Sequence, residues 1–138
     1  MHYNAELIAV GTELLLGNIA NTDAQMLSEG LSALGIDVYY HTVVGDNPQR
    51  LKEALEIARK RANIIITTGG LGPTYDDLTK QTICAEFGRE LELHEDIWQE
   101  IQDYFFKRMK GKTITENNKQ QAMLPVGCTV FDNPVGTA

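Results

Sequence analysis

Positive charge, sulfur and imidazole are all scarce in this chain. Twelve Lys and Arg stand against nineteen Asp and Glu, a formal net charge of −7 over 138 residues. An acidic surface cannot replace the counterions of a polyanion, which argues against general nucleic-acid binding and electrostatic attachment to a membrane. The two cysteines, Cys84 and Cys128, lie far apart without metal-ligand spacing. They read as reduced thiols of a cytoplasmic protein rather than as a disulfide framework or a zinc site. His2, His41 and His94 are scattered and form no zinc signature. No window approaches the ~18 apolar residues of a membrane span, and no basic stretch leads into an apolar run at the start, so no secretory signal is visible. Hydrophobic residues at 43% and charged residues at 22% give the profile of a folded globular chain. A chain this long fits one domain and can bury about two-thirds of its unfolded surface without a disulfide or structural metal. Small phosphate ligands stay open, because backbone N–H groups and a metal ion can hold them.

Strand and helix alternate over the first 88 residues. Ala5 to Val10 reads as a buried parallel strand ending at Gly11. Asn21 or Thr22 caps a helix whose apolar face carries Ala24, Leu27, Leu31 and Leu34, and Gly35 takes the left-handed position after it. Asp37 to Val44 is a second strand. Asn47-Pro48 starts a second helix, a capping side chain followed by a ring with φ preset, with Leu51, Ala54, Leu55, Ala58 and Ala62 as its stripe. Asn63 to Thr68 is the clearest strand, and its β-branched run suits a central position covered on both faces. A further helix runs from about Asp77 to Phe87, closed by Gly88.

Crossovers of this length imply parallel strands and right-handed connections. The expected fold is an α/β three-layer α/β/α sandwich with a mostly parallel sheet. Beyond it, Ile97, Trp98, Ile101, Phe105 and Met109 mark an amphipathic helix over Glu95 to Lys110. Gly111-Lys112 breaks the chain, a short helix spans Glu116 to Met123, and Thr129 to Phe131 is one more strand.

In an open parallel sheet, ligands bind outside the carboxyl ends of the strands. Three strands end here in Gly11-Thr12-Glu13, Gly45-Asp46-Asn47 and Thr67 to Asp77, each combining glycine, a hydroxyl or amide, and acid. Glu13, Asp46, Asp76 and Asp77 would then face one crevice. The loop Gly69-Gly70-Leu71-Gly72-Pro73-Thr74-Tyr75-Asp76-Asp77 is neither a P-loop nor the dinucleotide fingerprint. Its glycines let backbone N–H groups approach an anion, and the next helix adds its dipole. Thr74 and Asp77 also have the spacing of a capping box, a purely structural reading of those two residues. Acids beside a phosphate repel it unless a cation intervenes, so the economical reading adds a Mg²⁺-like divalent ion held by one or two carboxylates, waters and ligand phosphates.

Gly11-Thr12-Glu13-Leu14-Leu15, Gly17, Asn21-Thr22, Val44-Gly45-Asp46-Asn47 and Gly69-Gly70-Leu71-Gly72-Pro73-Thr74 with Asp76-Asp77-Leu78-Thr79 form a specific combination. Together with Asn118-Lys119-Gln120-Gln121-Ala122, Pro125 and Asn133-Pro134-Val135-Gly136-Thr137-Ala138, they resemble the N-terminal domain of the CinA (competence/damage-inducible) family. That domain falls within the molybdopterin-binding, molybdenum-cofactor biosynthesis fold family, and the resemblance runs nearly end to end. It implies a choice between two activities, metal-dependent hydrolysis of ADP-ribose and related pyrophosphates, or binding of molybdopterin. The second branch usually reads Gly-Gly-Thr-Gly where Leu71 stands here, which favours the hydrolase. An inert fragment that needs further chain for activity is the third expectation.

Carried over by resemblance, Asp77 is the catalytic acid and metal ligand, with Asp76 its helper and Glu13 a further metal ligand. Thr79 is placed for metal-held water or phosphate. Gly11, Thr12, Asp46, Gly69, Gly70, Leu71, Gly72 and Thr74 line the substrate. Lys119 stands where arginine is expected, and Gly136 and Thr137 close the pocket. The resemblance also suggests a homo-oligomer. The family pattern continues past Gly-Thr-Ala, in many members into a C-terminal amidase domain that this sequence does not contain, so residues 1–138 read as one domain cut short at its end.

Overall fold

Seven residues, Asn4–Val10, form strand β1, and six of them are buried. A strand covered on both faces occupies the middle of a sheet, and β1 pairs in parallel with β2 (Asp37–Val44) on one side and β3 (Ile64–Thr68) on the other. The computed structural model describes residues 1–108, 110 and 114–137. The chain forms two compact units, Met1–Gly70 and Leu71–Ala138.

In the first unit the sheet order is β2-β1-β3. Ala5 and Leu7 point to one face, where Ala24 and Leu31 of α2 (Thr22–Ala33) join them in a buried cluster. Glu6, Ile8 and Val10 alternate to the other face. Arg61, just beyond α3 (Pro48–Ala58), reaches Glu6 there, and α3 buries Leu51, Ala54, Leu55 and Ala58. Helix, sheet and helix are thus layered as expected, and the fold is α/β with a parallel sheet.

Two details differ from expectation. β3 is not the central strand: β1 takes that place, and every residue of β3 is half-buried. β-branched residues favour a pleated surface wherever it lies, so their density reports strand, not position. Leu34 is 75% exposed, because it follows the last turn of α2.

Capping fixes both helix starts. The Asn21 side chain accepts from the Ala24 N–H, and that of Asn47 accepts from the Arg50 N–H at 3.0 Å. Gly35 (φ 73°) ends α2. An Asn47→Ala variant is expected to lose about 1 kcal/mol, read as a lower urea midpoint with unchanged slope.

The second unit holds α4 (Thr79–Phe87), β4 (Leu91–Leu93), α5 (Glu95–Arg108), a 3-10 helix (Glu116–Ala122) and β5 (Met123–Pro125). β4 and β5 form an antiparallel pair. The expected strand at Thr129 to Phe131 is irregular chain, and Met123–Pro125 is the strand instead. Three-residue strands leave no periodicity in a sequence. α4 begins at Thr79, two residues later than expected, and Gly88 (φ 64°) ends it. Expectations for Met109, Gly111, Lys112 and Ala138 lie outside the described residues. No helix among the described residues is long and apolar enough to cross a membrane.

Candidate functional site

Parallel pairing puts the carboxyl ends of β1, β2 and β3 side by side, with Val10 opposite Val44 and Ala9 opposite Thr68. The residues that follow, Gly11, Gly45 and Gly69, therefore share one rim of the first unit. The Gly11 N–H donates to the Val44 carbonyl at 2.9 Å, tying the first two loops together. Thr12 and Asp46 complete the tie reciprocally. The Thr12 N–H donates to Asp46 Oδ2 (3.3 Å), and the Asp46 N–H donates to Thr12 Oγ1 (3.1 Å).

Glu13, in the one-turn helix α1 (Thr12–Leu15), folds its carboxylate back over Gly11. A Cβ on Gly11 would lie 2.5 Å from Glu13 Oε1, so a side chain there would displace the carboxylate. Thr12, Glu13 and Asp46 are exposed. The rim thus presents two carboxylates and a hydroxyl, all hard oxygen donors.

Gly69 and Gly70 leave β3 with φ of 84° and 67°. A Cβ on Gly69 would overlap the Val10 carbonyl oxygen. Part of the glycine content that suggested a ligand cradle is therefore a requirement of the sheet edge itself.

In the second unit, Thr74 to Asp77 is a turn, not a helix cap. Asp77 Oδ2 accepts from the Thr74 N–H (2.9 Å) and Oγ1 (2.7 Å), and the Asp77 N–H returns to the Thr74 carbonyl (3.1 Å). A capping box and this closed turn share the same three-residue spacing. Gly72 lies under the Asp77 carboxylate, where a Cβ would come within 2.6 Å of Oδ2. Asp77 is half-buried, and among the described residues its Oδ1 accepts no hydrogen bond, while Asp76 and Tyr75 are exposed.

Two residues to which the sequence assigned no role hold this turn. Gln120 Nε2 donates to the carbonyls of Gly72, Thr74 (3.2 Å) and Asp77 (3.4 Å). Lys80 Nζ in turn donates to the carbonyls of Gln120 (2.6 Å) and Met123 (2.8 Å). Burial holds the Lys80 ammonium below the usual lysine range, and burial pushes the neighbouring Cys84 thiol up.

Of the remaining expected site residues, Leu71 is half-buried. Thr79 is 1% exposed and does not face solvent, which removes it from direct ligand contact in this conformation. Lys119 is half-buried beside Gln120 in the 3-10 helix. Gly136 and Thr137 line a cavity of about 650 Å³ against α5, with Ile97, Ile101 and Tyr104, and none of Gly69 to Asp77 lines it. Thr137 Oγ1 accepts there from Gln121 Nε2 at 3.2 Å. Among the described residues no three His, Cys, Asp or Glu side chains gather closely enough to hold a metal ion by themselves.

The family model for the probable molybdopterin binding domain matches residues 6–137. Competence-damage inducible proteins of Bacillus cereus and Bacillus anthracis are 58% identical over 135 residues, 98% of this chain. The chain spans 32% of the length of those curated relatives. Among solved structures, the CinA protein of unknown function from Thermoplasma acidophilum superposes with a TM-score of 0.86 at 31% identity, over 99% of this chain and 79% of that one. The tungsten cofactor synthesizing protein MoaB from Pyrococcus furiosus gives 0.59 at 26% identity, over 77% of this chain and 64% of that one. This chain belongs to the molybdopterin-binding domain family and, within it, to CinA.

Proposed function

We propose that this chain binds a phosphorylated pterin of the molybdopterin class. The rim at the carboxyl ends of β1, β2 and β3 is the observation that carries this reading. The loops after β1 and β2 are fastened there by Gly11–Val44 and Thr12–Asp46 hydrogen bonds, and they offer exposed carboxylates of Glu13 and Asp46. A pterin ring carries an amino group and ring N–H donors, which carboxylates accept well. The family match and the likeness to a cofactor-synthesizing protein support the same ligand class.

A second reading, hydrolysis of a nucleotide pyrophosphate such as ADP-ribose, is favoured by Asp77. Its Oδ2 is fixed by Thr74, while among the described residues Oδ1 accepts no hydrogen bond and is left for a further partner. The Asp77 carboxylate is a hard donor of the kind a divalent ion takes, since such an ion needs only one or two carboxylates and leaves other positions to water and phosphate. Such an ion would lower the pKa of a bound water. Thr74 would then keep the Asp77 carboxylate oriented.

Titration with molybdopterin, beside a nucleotide panel with and without EDTA, separates the two. Saturable pterin binding without product release supports the first reading. EDTA-sensitive release of AMP and ribose phosphate supports the second, and neither response overturns both. An Asp77→Asn variant is expected to lower that EDTA-sensitive rate by about 10- to 100-fold, the loss of one charged hydrogen-bonding partner. It should leave pterin affinity at the rim within about threefold. An unchanged hydrolytic rate would remove Asp77 from the site.

A further inference from the structure

The Gln120 side chain meets three carbonyl oxygens of one turn, and carbonyls only accept. A trans peptide sets each C=O opposite the N–H of the next residue. Drawing the Thr74 carbonyl toward Gln120 therefore turns the Tyr75 N–H the other way. That N–H donates to no group among the described residues, and Tyr75 is 89% exposed. At Gly72 the following residue is Pro73, so no N–H is displaced there. At Asp77 the following N–H, of Leu78, is taken by the Asp76 carbonyl at 3.1 Å.

Gln120 is itself anchored from below. Lys80 spends two N–H donors on the Gln120 and Met123 carbonyls, and it has no carboxylate partner among the described residues. Placing a desolvated ammonium under a backbone segment is costly without a compensating geometry, so the strap is a specific construction. It joins α4, the 3-10 helix and the turn over 40 or more residues of sequence.

We infer that Gln120, anchored by Lys80, is the positioning residue of the Gly72–Asp77 turn, gathering its carbonyls inward so that the Tyr75 N–H and Asp77 Oδ1 face a ligand. This rests on the proposed ligand role of the turn for its purpose, but the positioning can be read without any ligand. Amide exchange of Thr74 and Asp77 is followed by NMR in the wild type and in Gln120→Glu, Gln120→Met and Gln120→Lys. Glutamate has almost the same shape but turns oxygens toward three carbonyls, methionine has no donor, and lysine restores one.

Exchange at both amides is expected to quicken at least about tenfold in the Glu and Met variants and to return toward wild type in the Lys variant, with the melting temperature kept within a few degrees. A merely space-filling Gln120 would give a fast Lys variant or a slow Glu variant, and either result overturns the inference. Should the Gln120 variants fail to fold, Lys80→Gln, which removes the charge beneath the strap, is expected to quicken the same two amides, and no change there overturns it equally. Adding inorganic pyrophosphate to the wild type tests the ligand role of the turn separately. A shift of the Tyr75 amide supports that role, and none there removes it while leaving the exchange result to stand or fall alone.

Discussion

Replacing Gly69 by alanine is expected to cost the first unit about 2–5 kcal/mol. Two effects add. At φ 84° a Cβ costs about 1–2 kcal/mol against the backbone, and forcing an atom into a filled space costs about 1–3 kcal/mol more. The obstacle is the Val10 carbonyl oxygen, a backbone atom of the central strand that cannot rotate aside as a side chain would. Gly35 supplies the control. Its φ is 73°, yet nothing lies within 4 Å of an added Cβ, so Gly35→Ala is expected to lose only the backbone part. Urea unfolding of the two variants should differ by at least about 1 kcal/mol. Equal losses would mean that the sheet edge at Val10 relaxes freely and that Gly69 is not required by the fold.

That expectation changes how the glycine-rich loop is understood. From the sequence, a double glycine after a buried strand argues for anion binding. In the folded chain, Gly69 already answers to Val10, and the ligand argument passes to Gly72, where the missing Cβ makes room for the Asp77 carboxylate. The Thr74–Asp77 spacing was equally visible in the sequence. Whether it caps a helix or closes a free turn depends on where α4 starts, and Thr79 starts it only after Leu78.

Local rules carried most of the first unit. Asn21 and Asn47 cap as their side chains require, Gly35 ends a helix, and the alternation of elements gives a parallel sheet. Long-range partners were not legible. Nothing near Gln120 in sequence points to carbonyls 43 to 48 residues away, and nothing near Lys80 points to the carbonyl of Met123. The second unit is built from such contacts and from strands of three residues, so its organisation stayed hidden. Gly136 and Thr137 illustrate the same limit, since the resemblance has them close the ligand pocket while the folded chain sets them in a cavity against α5.

Glu6 is the sharpest case, a carboxylate inside a strand that otherwise reads as apolar. Its side chain is buried in the central strand, where an unpaired charge could not be kept. Arg61 meets it through two nitrogens, Nε to Oε2 and Nη2 to Oε1, both at 2.7 Å, and Thr42 Oγ1 donates to Oε1 at 2.7 Å. The Tyr40 ring stacks on the guanidinium 3.5 Å from its centroid. Glu6→Ala is expected to destabilise by about 3 kcal/mol, toward the lower end for a broken buried pair, because the partly exposed Arg61 can turn to water. Glu6→Met combined with Arg61→Leu should recover most of that loss, since neither charge is then stranded.

The acid dependence has a definite sign. Burial raises the Glu6 carboxyl, but the hydrogen bonds from Arg61 and Thr42 and the guanidinium charge outweigh it, leaving the group below its ordinary 4.5. A carboxyl lowered by folding contributes stability above its unfolded value, and that contribution fades as pH falls through the folded one. Wild-type urea midpoints should therefore drop from about pH 4.5 downward, with a shallower drop in Glu6→Gln. Parallel curves for the two proteins would show that the Arg61 bonds do not hold the ionised form, and the pair would then be a packing contact with no electrostatic role.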